Sequence, residues 1–273
     1  MSVGESGRLV VCPTPIGNLE DITLRTLSAL READVIACED TRHTRVLLDK
    51  YGVNARTVSY HEHNEASRSS ELVGRMREGA VVALVSDAGM PLVNDPGFVL
   101  VQACVAAGIE VEVLPGPSAA LTALVASGLP STTWRFVGFL PRKAGELNAL
   151  LSGASETLVA FESPRRLAAS LEALVAIDPE RPVAVCRELT KLHEEVLRGS
   201  AAEVSSHFAE TEPRGEIVVV IGAAPASEVE LGPALEALAK LVEAGAKTRP
   251  AAAVVSDLTG VPANTLYRAL TDR

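Results

Sequence analysis

The sequence predicts an α/β protein: two α/β domains, the first with a parallel sheet, followed by a small helical, helix-turn-helix-like domain. Three observations lead there. Up to Leu114, short and nearly continuous apolar runs alternate with segments of helical period, the pattern of parallel strands buried on both faces. A second series of apolar strands follows Pro115-Gly116-Pro117. At 273 residues the chain also exceeds the ~100–200 residues of one ordinary domain. The boundaries are expected at 1–116, 117–223 and 224–273.

Arg8–Cys12 reads as a strand. Ile22–Ala33 reads as an amphipathic helix, with Leu24, Leu27 and Leu30 at intervals of three. Asp34–Cys38 is a strand, Thr41–Lys50 and Glu65–Glu78 are helices, and Ala80–Ser86 is a buried strand. Phe98–Ala107 is a helix and Ile109–Leu114 a strand. In an open sheet of this kind the ligand crevice lies outside the carboxyl ends of the strands. The second domain carries strands at Phe136–Leu140, Thr157–Phe161, Pro182–Cys186 and Glu216–Ile221, with helices between several of them. Ala223–Gly232 is rich in Ala, Pro and Glu and reads as a linker. Three short helical patterns follow at Ala234–Ala244, Arg249–Thr259 and Pro262–Leu270. The Gly260-Val261-Pro262 turn between the last two suggests either a helix-turn-helix or a small capping bundle.

Composition narrows the function classes. Hydrophobic residues make up 47% of the chain, which excludes a disordered protein. The net charge of -10, from 35 acidic against 25 basic residues, argues against a broad nucleic-acid-coating surface. The charge is nevertheless uneven: Val113–Gly145 contains no carboxylate and carries Arg135, Arg142 and Lys143 beside Trp134, Phe136 and Phe139. Cys12, Cys38, Cys104 and Cys186 each sit in an aliphatic run without C-x-x-C spacing, so buried thiols are expected and a metal site is not. The chain shows no signal-peptide pattern and no run of the ~18 apolar residues that a membrane span needs. A cytoplasmic protein is expected.

Neither G-x-G-x-x-G nor G-x-x-x-x-G-K-[ST] occurs, which disfavours an ordinary dinucleotide enzyme or P-loop NTPase. His61-Glu62-His63-Asn64-Glu65 lacks metalloprotease spacing and reads as a polar loop. Three loops at strand ends stand out instead: Pro13-Thr14-Pro15-Ile16-Gly17-Asn18, Asp87-Ala88-Gly89-Met90-Pro91 running on to Gly97, and Pro115-Gly116-Pro117-Ser118-Ala119. One such loop is ordinary turn chemistry. Three at the carboxyl ends of parallel strands mark a crevice.

The runs VVCPTPIGNLEDITLRTL, ACEDTRHTRVLL, SYHEHNE, LVSDAGMPLVNDPG and LPGPSAALTAL occur in that order. With GFLPRK, FESPRRL, CRELTKLHEEVLRG and RGEIVVVI after them, the chain from about 8 to 222 closely resembles the tetrapyrrole-methylase-like (class III) S-adenosylmethionine methyltransferases. EDTRHT, SYHEHNE and FESPRR make it similar to the rRNA branch, and the tetrapyrrole members show neither EDTRHT nor FESPRR. The resemblance implies transfer of a methyl group to a cytidine 2'-hydroxyl in 16S rRNA of the small (30S) ribosomal subunit. It also implies a homodimer, with S-adenosylmethionine held in a cleft between two α/β domains. A tetrapyrrole methylase of the precorrin or uroporphyrinogen type is the alternative enzyme. An S-adenosylmethionine-sensing nucleic-acid-binding protein is the non-enzymatic alternative.

By resemblance, Pro15, Ile16 and Gly17 line the cleft, although PTPIGN replaces the usual glycine-rich first loop. Asp87, Ala88 and Gly89 hold the methionine and ribose portion, with Val93 beside it. Ser118 and Ala119 meet the carboxylate or adenine side, and Phe161, Glu162, Leu189 and Gly215 close the cleft from the second domain. The base that takes the hydroxyl proton is sought among Glu162, Glu188, His61 and Asp40. Glu162 is favoured because it follows a strand at the cleft, with helix capping as its equal alternative. RNA phosphates are expected at Arg42, Arg45, Arg142, Lys143, Arg165 and Arg166. Lys247, Arg249, Arg268 and Arg273 offer a second contact or merely solvate a helix face.

Overall fold

The computed structural model describes residues 7–210, 213–225 and 231–271. It divides into two compact units, with the boundary between Ala223 and Ala224.

The first unit contains two five-stranded sheets. In the first sheet, β1 (Arg8–Val11), β2 (Val35–Cys38), β3 (Thr57–Ser59), β4 (Val81–Leu84) and β5 (Glu110–Val113) lie in the order β3-β2-β4-β1-β5. Every pairing is parallel. Alternation along β1 shows why. Val10 and Cys12 point to one face, beneath α1 (Leu24–Glu32) and α2 (Thr41–Lys50), where Leu30, Ile36 and Leu48 are buried. Leu9 and Val11 point to the other, beneath α3 (Glu65–Arg77) and α4 (Phe98–Ala106), with Leu72, Met76 and Leu100. A strand buried on both faces must read as continuously apolar. Thr23 caps α1 by accepting a hydrogen bond from the Thr26 amide at 3.0 Å. The strand β3 has no counterpart in the sequence reading, because three residues at a sheet edge are too few to set up a period.

The second sheet joins β6 (Trp134–Phe139), β7 (Thr157–Glu162), β8 (Pro182–Arg187), β9 (Glu195–Ser200) and β10 (Ile217–Ile221) in the order β6-β7-β10-β8-β9. Only the β6–β7 pair is parallel. The parallel sheet expected in the first half is present there, and the second sheet, for which the sequence reading sets no pairing direction, is mostly antiparallel. Short connections such as the one from β8 to β9 allow antiparallel return, whereas parallel pairing needs a crossover. The sequence reading also omits β9, whose Glu195 and Arg198 interrupt an apolar run.

One face of this sheet packs on α6 (Ala144–Gly153), α7 (Pro164–Ile177) and α8 (Ala201–Glu210). The other packs on α5 (Ala119–Ser127), and there Ile16 from the loop after β1 joins Ala123, Val159, Ala184, Leu189 and Val218. One residue of the first half is thus part of the core of the second. All four cysteines are buried free thiols.

The second unit holds α9 (Leu231–Glu243), α10 (Thr248–Thr259) and α11 (Ala263–Thr271) around Leu238, Ala252, Val255, Val261 and Leu266. Gly260, at φ 77°, ends α10 in the left-handed conformation. The Arg249 guanidinium lies 5.4 Å from the centre of the Tyr267 ring. Residues 226–230 of the expected linker, and Arg273, lie outside the described residues. Among the described residues no helix is long and apolar enough to cross a membrane.

Candidate active site between the two sheets

Strands β1 and β4 are neighbours, so their carboxyl-terminal loops meet. Thr14 and Gly89 exchange backbone hydrogen bonds at 2.9 and 3.0 Å, and the Thr14 hydroxyl donates to the Ser86 carbonyl at 3.0 Å. The loop after β4 is bent hard: Leu92 and Asn94 occupy left-handed backbone at φ 71° and 65°. In the loop after β8, Glu188 and Thr190 do the same at φ 51° and 66°. Such conformations cost roughly 1–3 kcal/mol each and concentrate at ligand sites.

The loops after β4 and β8 are linked through the loop after β1. The Asn18 amide donates to the Thr190 hydroxyl at 3.0 Å. A Cβ on Gly17 would overlap the Lys191 and Thr190 side chains, and one on Gly215 (φ 87°) would overlap the Glu188 carboxylate.

Two adjoining cavities open in this crevice. The larger, of about 350 Å³, is lined by Ile16, Ala88, Gly89, Val93, Ser118, Ala119, Phe161, Glu162 and Gly215 among others. The smaller, of about 240 Å³, is lined by Pro15, Ile16, Gly17, Asp87 and Ala88 together with His43, Thr44, Val46, Lys191 and Glu216. Ile16, Ala88 and Glu216 form the wall they share. The structure thus brings the expected cofactor residues to one crevice but parts them: Pro15, Gly17 and Asp87 face the smaller cavity only. Leu189 lines neither cavity; it is buried in the apolar cluster below Ile16.

Glu162 faces inward. One carboxylate oxygen accepts from the Ser163 amide at 2.8 Å and lies 3.2 Å from the Arg166 guanidinium, while the other accepts from Ser170 at 2.6 Å. Its side chain is wholly buried and so partnered, which ties Glu162 to the start of α7 while it still lines the larger cavity. Arg166 also donates to the carbonyls of Leu140 and Pro141 at 3.0 and 2.8 Å. Its position four residues beyond Glu162 turns it back on the carboxylate.

Of the remaining expected RNA residues, Arg42 and Arg45 lie on α2, Arg165 on α7, and Arg142 and Lys143 just before α6, all of them exposed. Arg42 pairs with Asp40 at 2.8 Å and Lys143 with Glu146 at 2.9 Å, while Arg45, Arg142 and Arg165 are exposed. Arg135 pairs with Glu156 at 3.0 Å. Trp134 and Phe136 pack toward the core, Phe136 meeting Phe161 edge-on at 5.0 Å. Phe139 is the exposed aromatic of that strand and lines the larger cavity.

Among the other carboxylates weighed as bases, Asp40 is held down at about 2, chiefly by the hydrogen bonds it accepts from Arg42. Glu188 is lowered by its hydrogen bond from Lys191. Both are weak bases for that reason. His61 stitches its loop, with Nε2 3.3 Å from the Asn64 amide nitrogen. Asp95, which no sequence pattern singles out as a site residue, behaves oppositely: burial, then the nearby Glu39, pushes it up to about 6. It lines the larger cavity. The only signal it leaves in the sequence is an acid within the mostly apolar and small MPLVNDPG stretch. Among the described residues no three His, Cys, Asp or Glu side chains are grouped to hold a metal.

Residues 8–205 match the family model described as Tetrapyrrole (Corrin/Porphyrin) Methylases. The chain is 47% identical to ribosomal RNA small subunit methyltransferase I of Micromonospora olivasterospora, over 96% of this chain and 86% of that one. It is 46% identical to the protein of the same name from Escherichia coli O157:H7, over 96% and 94%. The chain belongs to the ribosomal RNA small subunit methyltransferase I family, within the tetrapyrrole methylases. Its fold is that of uroporphyrin-III-C-methyltransferase from Thermus thermophilus, at a TM-score of 0.58 and 27% identity over 79% of this chain and 94% of that one.

The larger cavity suits the S-adenosylmethionine that this family uses. Ala119 and Phe161 offer apolar walls, and Gly89 lets backbone approach closely at φ 80°. The mutual repulsion of Asp95, Glu39 and Asp87 is relieved by a cation such as a sulfonium.

Proposed function

We propose that the chain moves the methyl group of S-adenosylmethionine to the 2'-hydroxyl of a cytidine in 16S rRNA of the small ribosomal subunit. The observation that carries this reading is the crevice itself, built from the loops after β1, β4, β5, β7 and β8 in a chain 46–47% identical to two proteins named for that subunit's RNA. A division of the first unit at 116/117 separates two roles. The first sheet supplies the loops that hold the cofactor from one side, and the second closes over it.

Bound S-adenosylmethionine supplies an electrophilic methyl on a positive sulfur. Gly89, Ser118, Ala119 and Phe161 would hold it, and it would supply the methyl group for the 2'-oxygen, with the hydroxyl proton passing to a base or water. What the chain contributes is alignment, worth up to ~7–11 kcal/mol in ideal geometry. Ser118 and Ala119, at the start of α5, position the donor, and the stiff Thr14–Gly89 bridge fixes the wall facing it. Exposed Arg45, Arg142 and Arg165, with Lys143 and Arg42 at the cost of exposed ion pairs, hold the phosphates.

A homodimer accompanies this reading. Phe98 and Val105 of α4, with Leu121 and Val125 of α5, are at least half exposed on the first unit, and large apolar side chains left in water are an interface signature.

The test is label transfer. Labelled methyl donor, purified protein and unmethylated 30S subunits should yield label in 2'-O-methylcytidine after nuclease digestion. Label on a base, or transfer only to a tetrapyrrole, would refute the reading.

A further inference from the structure

The loop joining β8 to β9, residues 188–194, is tethered along its whole length. Leu189 is buried beneath it. The Thr190 hydroxyl accepts from the Asn18 amide, and the Thr190 amide donates to the Glu194 carboxylate. The amides of Lys191 and Glu194 donate to the carbonyls of Glu188 and Lys191 at 3.0 and 3.1 Å. The Lys191 ammonium bridges the Glu188 and Glu216 carboxylates at 2.9 and 3.1 Å.

At the tip of this frame Leu192 is 92% exposed, and His193 is exposed beside it. A lone exposed leucine is ordinary on a protein surface. Here it is carried on a loop with two non-glycine residues in left-handed backbone, so the chain spends strain on holding the tip out. Lys191, the residue before the tip, lines the smaller cavity, and its side chain lies against Gly17. The tip therefore stands at the rim of the crevice.

Charge decides which part of a nucleotide the tip suits. Glu188, Glu194 and Glu216 outnumber Lys191, whose ammonium is already shared by two of them, so a phosphate is repelled. A nucleobase face is uncharged and accepts both an apolar wedge and an imidazole ring. We infer that Leu192 and His193 form a fixed stacking tip that lies against a nucleobase next to the acceptor and keeps the acceptor from restacking. They are positioning residues. The assignment rests on the methyltransferase reading above and adds an RNA contact that does not depend on charge.

Three double variants test it, each carrying Leu192→Ala together with His193→Ala, His193→Trp or His193→Lys. Calorimetry with S-adenosylmethionine, thermal unfolding and steady-state transfer to 30S subunits at several salt concentrations are measured beside the wild type. Cofactor affinity and Tm should match the wild type in all three. In L192A/H193A the kcat/KM for 30S should fall about tenfold, as for one lost base stack, with an unchanged salt slope because no phosphate contact is removed. L192A/H193W should recover most of that loss, and L192A/H193K should not.

Unchanged kcat/KM in L192A/H193A would overturn the assignment. Recovery by L192A/H193K but not by L192A/H193W would also overturn it, making the tip a phosphate contact. So would a loss of cofactor affinity equal to the loss of transfer. A wild type that binds cofactor but transfers nothing to 30S would defeat the rRNA reading itself, which separates the two failures.

Discussion

The two sheets of the first unit build the same crevice by different means. The parallel sheet places its site by topology alone: β1 and β4 run side by side, so the loops after them meet, and the Thr14–Gly89 bridge is a direct consequence of strand order. The second sheet, largely antiparallel, sends strand ends both ways and has no such rule. It reaches the crevice through a buried ionic anchor at Glu162 and a strained loop at Glu188–Thr190. In the first sheet the site should therefore respond to cavity shape, and in the second to the groups that pin its loops.

The largest effect is expected from shape. Ala119→Trp fills the larger cavity at the start of α5 and should abolish the heat of cofactor binding, while the far-UV spectrum is kept. Normal affinity in that variant would remove the cavity from the site. Next comes the anchor. Arg166→Ala leaves the Glu162 carboxylate buried without its guanidinium and frees the Leu140 and Pro141 carbonyls. Denaturant unfolding should show a loss of about 3 kcal/mol, and Arg166→Lys should recover only part of it. A loss within error would mean that the second sheet's loops are held otherwise. Gly215→Ala forces a side chain into left-handed backbone and against Glu188, and should cost about 2 kcal/mol by the same measurement.

The smallest effect is set by pH. Asp95 titrates near 6 in the folded protein and at 3.8 when unperturbed. Between those values the folded state binds more protons than the unfolded one, so stability contributed by this group falls as pH rises from about 4 to 6 and stays lower above. Asp95→Asn should therefore gain thermal stability over the wild type progressively from pH 4 to 6, with no further gain at pH 8. It should also weaken S-adenosylmethionine more than S-adenosylhomocysteine, whose sulfur is a neutral thioether, because only the former brings a positive sulfur to that cluster. Equal weakening of both would leave Asp95 a packing role only.

Much of the fold is legible in the sequence because burial writes itself into composition. β1, β2, β4 and β10 are largely apolar along their length, and Thr41–Lys50 forms a helix with the expected bounds. The three loops announce themselves through Gly and Pro, which reflect backbone demands that few other residues meet. The parts that stay hidden are those that depend on neighbours distant in sequence. A three-residue edge strand such as β3 has no period, and the pairing direction of the second sheet is not written in any one strand. The pairing of Glu162 with Arg166 and Ser170, and of Arg166 with the Leu140 carbonyl, is likewise seen only in the fold. Asp95 needs burial and Glu39 nearby before its proton affinity rises. The parting of Pro15, Gly17 and Asp87 from Ser118 and Ala119 into two cavities depends on where Ile16 lodges, a contact between the two halves that spacing along the chain does not encode.

If the crevice between the two sheets holds the cofactor, a crystal structure of the protein with S-adenosylhomocysteine shows it most directly. Ligand density should lie in the larger cavity, against Gly89, Ala119 and Phe161. Density lying outside the crevice would contradict that placement.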